Sequence, residues 1–193
     1  MSTEDNESFL QSVALLVVDM QEPFLRVIPD SEALVKRVCF AIEAAALFRM
    51  HIFITEQSPE KLGPTHSDIL ESASQGSSVE GGVFPKDSFC ALQQTDLSRR
   101  LNNHGVEHLL LAGIETPICI YQTALTALER EMDITVLSDG IGARRPMDSQ
   151  HVLETLREAG SYVLPAETVF YSLMKTATHP AFRQFTKLVK AHA

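Results

Sequence analysis

From Val13 the chain reads VALLVVDMQ, six apolar residues closed by Asp19. An unbroken apolar run ended by a charge predicts a strand buried on both faces, not one that alternates between core and solvent. Between Asp30 and Met50 the period changes: Leu34, Val38, Ile42 and Ala45 recur at helical spacing, with Asp30 or Ser31 standing where a cap belongs. HIFITEQ predicts a second strand. Residues 57–80 are rich in Ser, Gly and Pro and predict a long loop, with one helical turn at HSDILESA.

A very short strand follows at Val83 and Phe84. Thr95 to Asn103 predicts a helix, ended by the Asn103-His104-Gly105 turn. VEHLLLAGI predicts the third long strand, Pro117 to Glu131 a helix, and DITVLSDG a strand. Asp148 to Ala159 predicts a helix stopped by Gly160, YVLP a last strand, and two short helices finish the chain near Ala166–Met174 and His179–His192. Strands alternating with helices predict an α/β fold whose parallel sheet is covered on both faces, with right-handed crossovers. No repeat or linker interrupts the pattern, so a tail over 1–12 and a single domain over 13–193 are expected.

Composition narrows this picture. The 193 residues are 45% hydrophobic and 21% charged, enough for one substantial core. Asp and Glu number 25 against 16 Lys and Arg, a net charge of -9 with no basic cluster, which argues against nucleic acid as a partner. The start, MSTEDNESFLQ, lacks the basic and apolar regions of a secretory signal and the Arg-rich character of a transit peptide. No apolar run is long enough to span a bilayer, so no membrane partner is expected. Three cysteines without CxxC spacing suit free thiols in a reducing, cytoplasmic setting.

Ligands of parallel α/β sheets collect at the carboxyl ends of the strands. Asp19, Lys86 and Cys119 fall there. Thr116 is a good N-cap and Pro117 a good first helical residue, which puts Cys119 in a first turn where the helix dipole favours its thiolate. The competing reading is a small buried hydrophobe, the usual state of a free cysteine and the one assigned to Cys39 and Cys90. Asp19 is a candidate general base, since burial at a strand end raises a carboxyl toward a useful pKa. Asp139 holds a similar position and reads as a turn-stabilising residue. Lys86 is either a solvated loop cation or a charge that lowers the thiol pKa and orients Asp19. Of the seven histidines, His51 and His108 open strands at the far end of the sheet and His104 lies in a turn. His66 alone could contribute, so a Cys–His–Asn protease arrangement is weak.

The order Asp19, Lys86, Cys119, carried by VVDMQ, FPKDSF and GIETPICI, resembles the isochorismatase-like cysteine hydrolases. The resemblance runs from about Val13 to Lys190. TEQSPEKLGPT and HPAFRQFTKLVK look closest to the isochorismatase-domain-containing subgroup. It implies a three-layer, Rossmann-like fold with a mostly parallel six-stranded sheet. It also implies a catalytic Cys119 nucleophile, an Asp19 base and Lys86 beside them. The backbone N–H groups of Glu115 and Cys119 would form the oxyanion hole, with a cis peptide at Ile114–Glu115. Family reactions include hydrolysis of small amides and of the vinyl ether of isochorismate, and members commonly form homo-oligomers. Nicotinamidases of the family carry an Asp-x-His metal pair after the second strand. Here Glu56, Gln57 and Ser58 replace it, leaving His66, so no metal and no cofactor are expected. Phe24 and the long loop would shape the pocket for a small-molecule substrate. The alternative is a non-catalytic scaffold that retains the fold.

Overall fold

In the computed structural model, which describes residues 10–75 and 82–192, the apolar runs become the strands of one sheet. These are β1 (Val13–Val18), β2 (His51–Gln57), β3 (Val83–Lys86), β4 (His108–Ile114), β5 (Asp133–Gly142) and β6 (Tyr162–Leu164). Their order is β3-β2-β1-β4-β5-β6, and every pairing is parallel, so the sheet expected to be mostly parallel is wholly so. The helices longer than one turn are α1 (Ser31–Leu47), α2 (Ser67–Gln75), α3 (Thr95–Asn103), α4 (Tyr121–Glu129), α5 (Pro146–Glu158), α6 (Ala166–Met174) and α7 (Phe182–Ala191).

Successive strand residues point to opposite faces, so β1 feeds two cores at once. Val13, Leu15 and Val17 pack with α1, α2, α6 and α7, while Ala14, Leu16 and Val18 pack with α3, α4 and α5. All six residues are at most 1% exposed, which is why the run shows no alternation. On the first face Phe40, Phe170 and Phe185 meet with ring centroids 5.9–6.4 Å apart. Burying each such ring stabilises the fold by about 1.5–3 kcal/mol.

Three local expectations change. The loop foreseen over 57–80 contains α2, whose Ile69 and Ala73 lie one turn apart and are buried against α1. Its serines and acids hid that narrow apolar stripe; residues 76–80, like residues 1–9 of the tail, lie outside the described residues. Asp30 stands at the N-cap of α1 but its side chain makes no capping hydrogen bond. The helix foreseen from Pro117 begins instead as a π turn over Thr116–Ile120, with α4 following it.

The sheet order reverses between β1 and β4. Chains leave these neighbours toward opposite flanks, which opens a crevice at their carboxyl ends. The two strands approach closely there: Gly113 pairs with Val18 at φ +113°, and a Cβ on it would sit 2.1 Å from the Val18 carbonyl oxygen. Only glycine fits that position. The β4–β5 register also shifts between Leu111 and Gly113, a bulge that re-aims the end of β4.

Candidate active site

Asp19 follows the last residue of β1 and adopts φ +53°, a left-handed conformation that aspartate tolerates better than most residues. Its own N–H donates to the Thr55 carbonyl at 3.1 Å, and the carboxylate is 1% exposed. The Thr55 hydroxyl donates to Oδ1 at 2.8 Å and the Lys86 ammonium to Oδ2 at 2.6 Å. Burial raises the Asp19 pKa above its ordinary value, and the charge and hydrogen bonds of Lys86 pull the other way without prevailing.

Lys86 ends β3 and is no solvated cation: its side chain is 1% exposed. Besides Asp19 it donates to Gln57 Oε1 at 2.7 Å and to the Ser88 carbonyl at 3.0 Å, and it lies 3.9 Å from Cys119 Sγ. The ammonium is held where three strand ends converge, since β3 pairs with β2 so that Lys86 stands opposite Gln57.

Cys119 sits in the π turn after β4 and is buried. Lys86 Nζ lies 3.9 Å from its Sγ and 2.6 Å from Asp19 Oδ2, so the thiol and the carboxylate share one cation. Burial, then the Asp19 charge, pushes the thiol pKa up to about 12, against the weaker opposite pull of Lys86. This corrects the expectation of a readily ionised thiol. The peptide bond between Ile114 and Glu115 is cis. Thr116 does not cap the helix; its hydroxyl donates to the Gly142 carbonyl at 3.1 Å and ties the turn to β5. The Glu115 carboxylate pairs with Arg144 Nε at 2.6 Å.

Asp19, Gln57, Glu115 and Cys119 line a cavity of about 60 Å³, with Phe24, Phe89, Ile114 and Ile118 as its apolar wall. His66 stays out of it, its ring 3.4 Å from the Glu22 carboxylate. Asp139 accepts from Arg37 Nη2 at 2.6 Å and from the Ala166 N–H at 2.8 Å, which joins α1 to the start of α6. Cys39 and Cys90 are core residues on opposite faces of the sheet.

Sequence reasoning missed Thr55 and Gln57 as partners of the ion pair, and Gln21, whose amide donates to the Gln57 and Gly63 carbonyls. The signal was a polar triplet, Thr55-Glu56-Gln57, closing an apolar strand. The residues that replace a metal pair are occupied otherwise. Glu56 accepts from the Thr65 N–H and hydroxyl at 2.6 and 2.9 Å, and the Ser58 hydroxyl donates to Asp87 at 2.9 Å. Among the described residues, no cluster of three or more His, Cys, Asp or Glu is placed to hold a metal ion.

The profile of the isochorismatase domain matches residues 13–168. The chain belongs to the isochorismatase family. Isochorismatase domain-containing protein 2 of Bos taurus is 32% identical over 180 residues, covering 93% of this chain and 83% of that protein. The secreted isochorismatase effector Isc1 of Phytophthora sojae is 30% identical over 183 residues, covering 94% and 86%. The structure of the MAR1 ribonuclease from Caenorhabditis elegans matches with a TM-score of 0.82 at 27% identity, over 94% of this chain and 91% of that one. The family has a hydrolase fold, and in this member the Asp19–Lys86–Cys119 cluster lies at the sheet crevice.

Proposed function

We propose that this chain hydrolyses small amides through a covalent Cys119 intermediate. The observation that carries the reading is the convergence of Asp19 and Lys86, 67 residues apart, on the Cys119 thiol at the wall of a cavity. Asp19 takes the thiol proton as Sγ forms a bond to the carbonyl carbon. The carbonyl oxygen becomes an oxyanion, received by the backbone N–H groups of Glu115 and Cys119. The tetrahedral centre collapses, the C–N bond breaks, and the proton on Asp19 goes to the departing amine. Water then attacks the thioester while Asp19 takes one of its protons. The C–S bond breaks, the acid leaves, and the thiol regains its proton. Lys86 stays protonated throughout and holds Asp19 in line.

Two observations weigh against the alternatives. A scaffold has no use for a buried ion pair, whose desolvation costs several kcal/mol per ion. Cleavage of RNA, the activity named for the nematode relative, would need a phosphate-binding surface, and a chain of net charge -9 repels phosphate. Cytoplasmic placement belongs to the same proposal: its three cysteines are free, as a reducing compartment keeps them. Among the described residues, no helix is long and apolar enough to cross a membrane.

The test is a panel of small amides scored by released ammonia, run beside an RNA cleavage assay. Wild type turns over at least one amide, and Cys119→Ala reduces release to background. Turnover that survives Cys119→Ala, or RNA cleavage with no amide hydrolysis, overturns the proposal.

A further inference from the structure

We infer that the Cys119 cavity accepts a neutral acyl group bearing a short apolar substituent and rejects an anion next to the scissile carbonyl. The inference rests on the hydrolase reading and narrows it.

The polar groups around the cavity are already committed to one another. The ammonium of Lys86 has three hydrogens, and three acceptors lie within 3.0 Å: Asp19 Oδ2, Gln57 Oε1 and the Ser88 carbonyl. The Gln57 amide donates in turn to the Asp87 carbonyl at 2.9 Å. No lining side chain therefore offers a free cation to a carboxylate or phosphate on the substrate; Gln57 is a neutral amide that already donates one N–H to Asp87. The charges that remain in the wall are the carboxylates of Asp19 and Glu115. Their partner cations, Lys86 and Arg144, are held at 2.6 Å from them. An anion entering here loses its water shell and gains no counter-charge.

The rest of the wall is hydrocarbon, from Phe24, Phe89, Ile114 and Ile118. At about 60 Å³ the space is less than half of the roughly 150 Å³ cavity that takes up benzene, so the substituent is short. Within that limit each added methylene raises kcat/KM about fourfold, the worth of burying one CH₂. Phe89, one of these wall residues, is 55% exposed.

Iodoacetamide and iodoacetate are nearly the same size and differ in charge, so the pair reads the cavity without any turnover. Both are reacted with native protein and with guanidinium-unfolded protein, and modification of the Cys119 peptide is followed by mass spectrometry. Cys119→Ala confirms the assignment of the peptide. The rate ratio of iodoacetamide to iodoacetate at Cys119 is expected to be at least about tenfold higher in the native protein than in the unfolded chain. A smaller enhancement overturns the inference. So does a native Cys119 that neither reagent reaches, because a cavity built for small neutral acyl groups must admit iodoacetamide.

A paired set of amides separates this inference from the reading beneath it. Propionamide and butyramide are neutral, and malonamate and succinamate are their anionic counterparts. Turnover of the anionic members in preference keeps the hydrolase and sinks the neutral cavity. Selective alkylation without turnover of any amide in the wider panel sinks the hydrolase and leaves the cavity as described.

Discussion

Replacing Lys86 by Met would leave the Asp19 carboxylate buried without its cation. The side chains of both residues are 1% exposed, so water cannot take over the lost contact. Breaking a buried ion pair by removing one partner costs about 3–5 kcal/mol. With an m-value of about 2 kcal/mol/M in urea, the unfolding midpoint at pH 8 should fall by about 1.5–2.5 M. Part of that loss should be recoverable by acid. Burial already holds the folded Asp19 pKa above its ordinary value, and Lys86 is the main opposing influence, so the variant raises it further. A folded pKa above the unfolded value of about 3.9 means that the native state keeps its proton to higher pH. The stability contributed by that proton is present below pH ~4 and is lost as pH rises through the folded pKa. The gap between wild type and variant should therefore widen from pH 4.5 to 8. The double variant Lys86→Met/Asp19→Asn removes the titrating group, so it should recover most of the loss and show a flat difference. Urea titrations at several pH values measure all of this. A loss below about 1 kcal/mol at pH 8, or a gap that does not change with pH, would refute the account of a desolvated pair.

Thr55→Val leaves Asp19 Oδ1 without its 2.8 Å donor, which should cost about 1–3 kcal/mol and move the acid limb of the activity profile to higher pH. Urea melts and a pH–rate profile check the two effects. Gly113→Ala drives a Cβ to 2.1 Å from the Val18 carbonyl at φ +113°, so a loss above about 4 kcal/mol, or insoluble protein, is expected on expression. Glu115→Ala removes the contact with the exposed Arg144 but keeps the backbone N–H proposed to receive the oxyanion, so kcat/KM should stay within about threefold of wild type.

Much of this architecture was legible because burial on both faces leaves a plain mark. The run of β1 is apolar at every position and those of β2 and β4 have unbroken buried apolar centres at 52–54 and 109–112, and the matching helical spacing of Leu34, Val38 and Ile42 shows which helix covers them. The three site residues stood out for a related reason: each interrupts or follows a strand at its carboxyl end. Gln57 and Thr55 did not stand out. Three polar residues close β2, and which of them face the crevice depends on the register with β1 and β3, a non-local property. That register sends Gln57 and Thr55 to the ion pair and Glu56 to Thr65. The full length of α2 beyond the one foreseen turn was hidden by composition, since two buried apolar positions, Ile69 and Ala73, suffice to dock it. Thr116 has the chemistry of a cap, but the neighbouring β5 strand offers the Gly142 carbonyl and claims its hydroxyl.

The thiol is the point at which local reasoning and the folded site disagree, and the magnitudes say why. A helix start favours a nearby anion by about 0.3–1 kcal/mol, less than one pKa unit. The rise of Cys119 from 9.0 to about 12 corresponds to about 4 kcal/mol in the other direction, so burial and the Asp19 charge win. The resting site is then a neutral thiol, a carboxylate and an ammonium. Ionising the thiol to solvent would leave two anions facing one cation in a dry pocket. Passing its proton to Asp19 keeps one anion and one cation, so the charge count does not change. The same burial that disfavours a free thiolate also raises Asp19 and makes it the better acceptor for that proton. A nucleophile in such a site gains nothing from a low resting pKa. In the proposed mechanism its proton would move as the C–S bond forms, and what the fold must then supply is an acceptor beside the thiol, the Asp19 carboxylate that Lys86 and Thr55 hold in place.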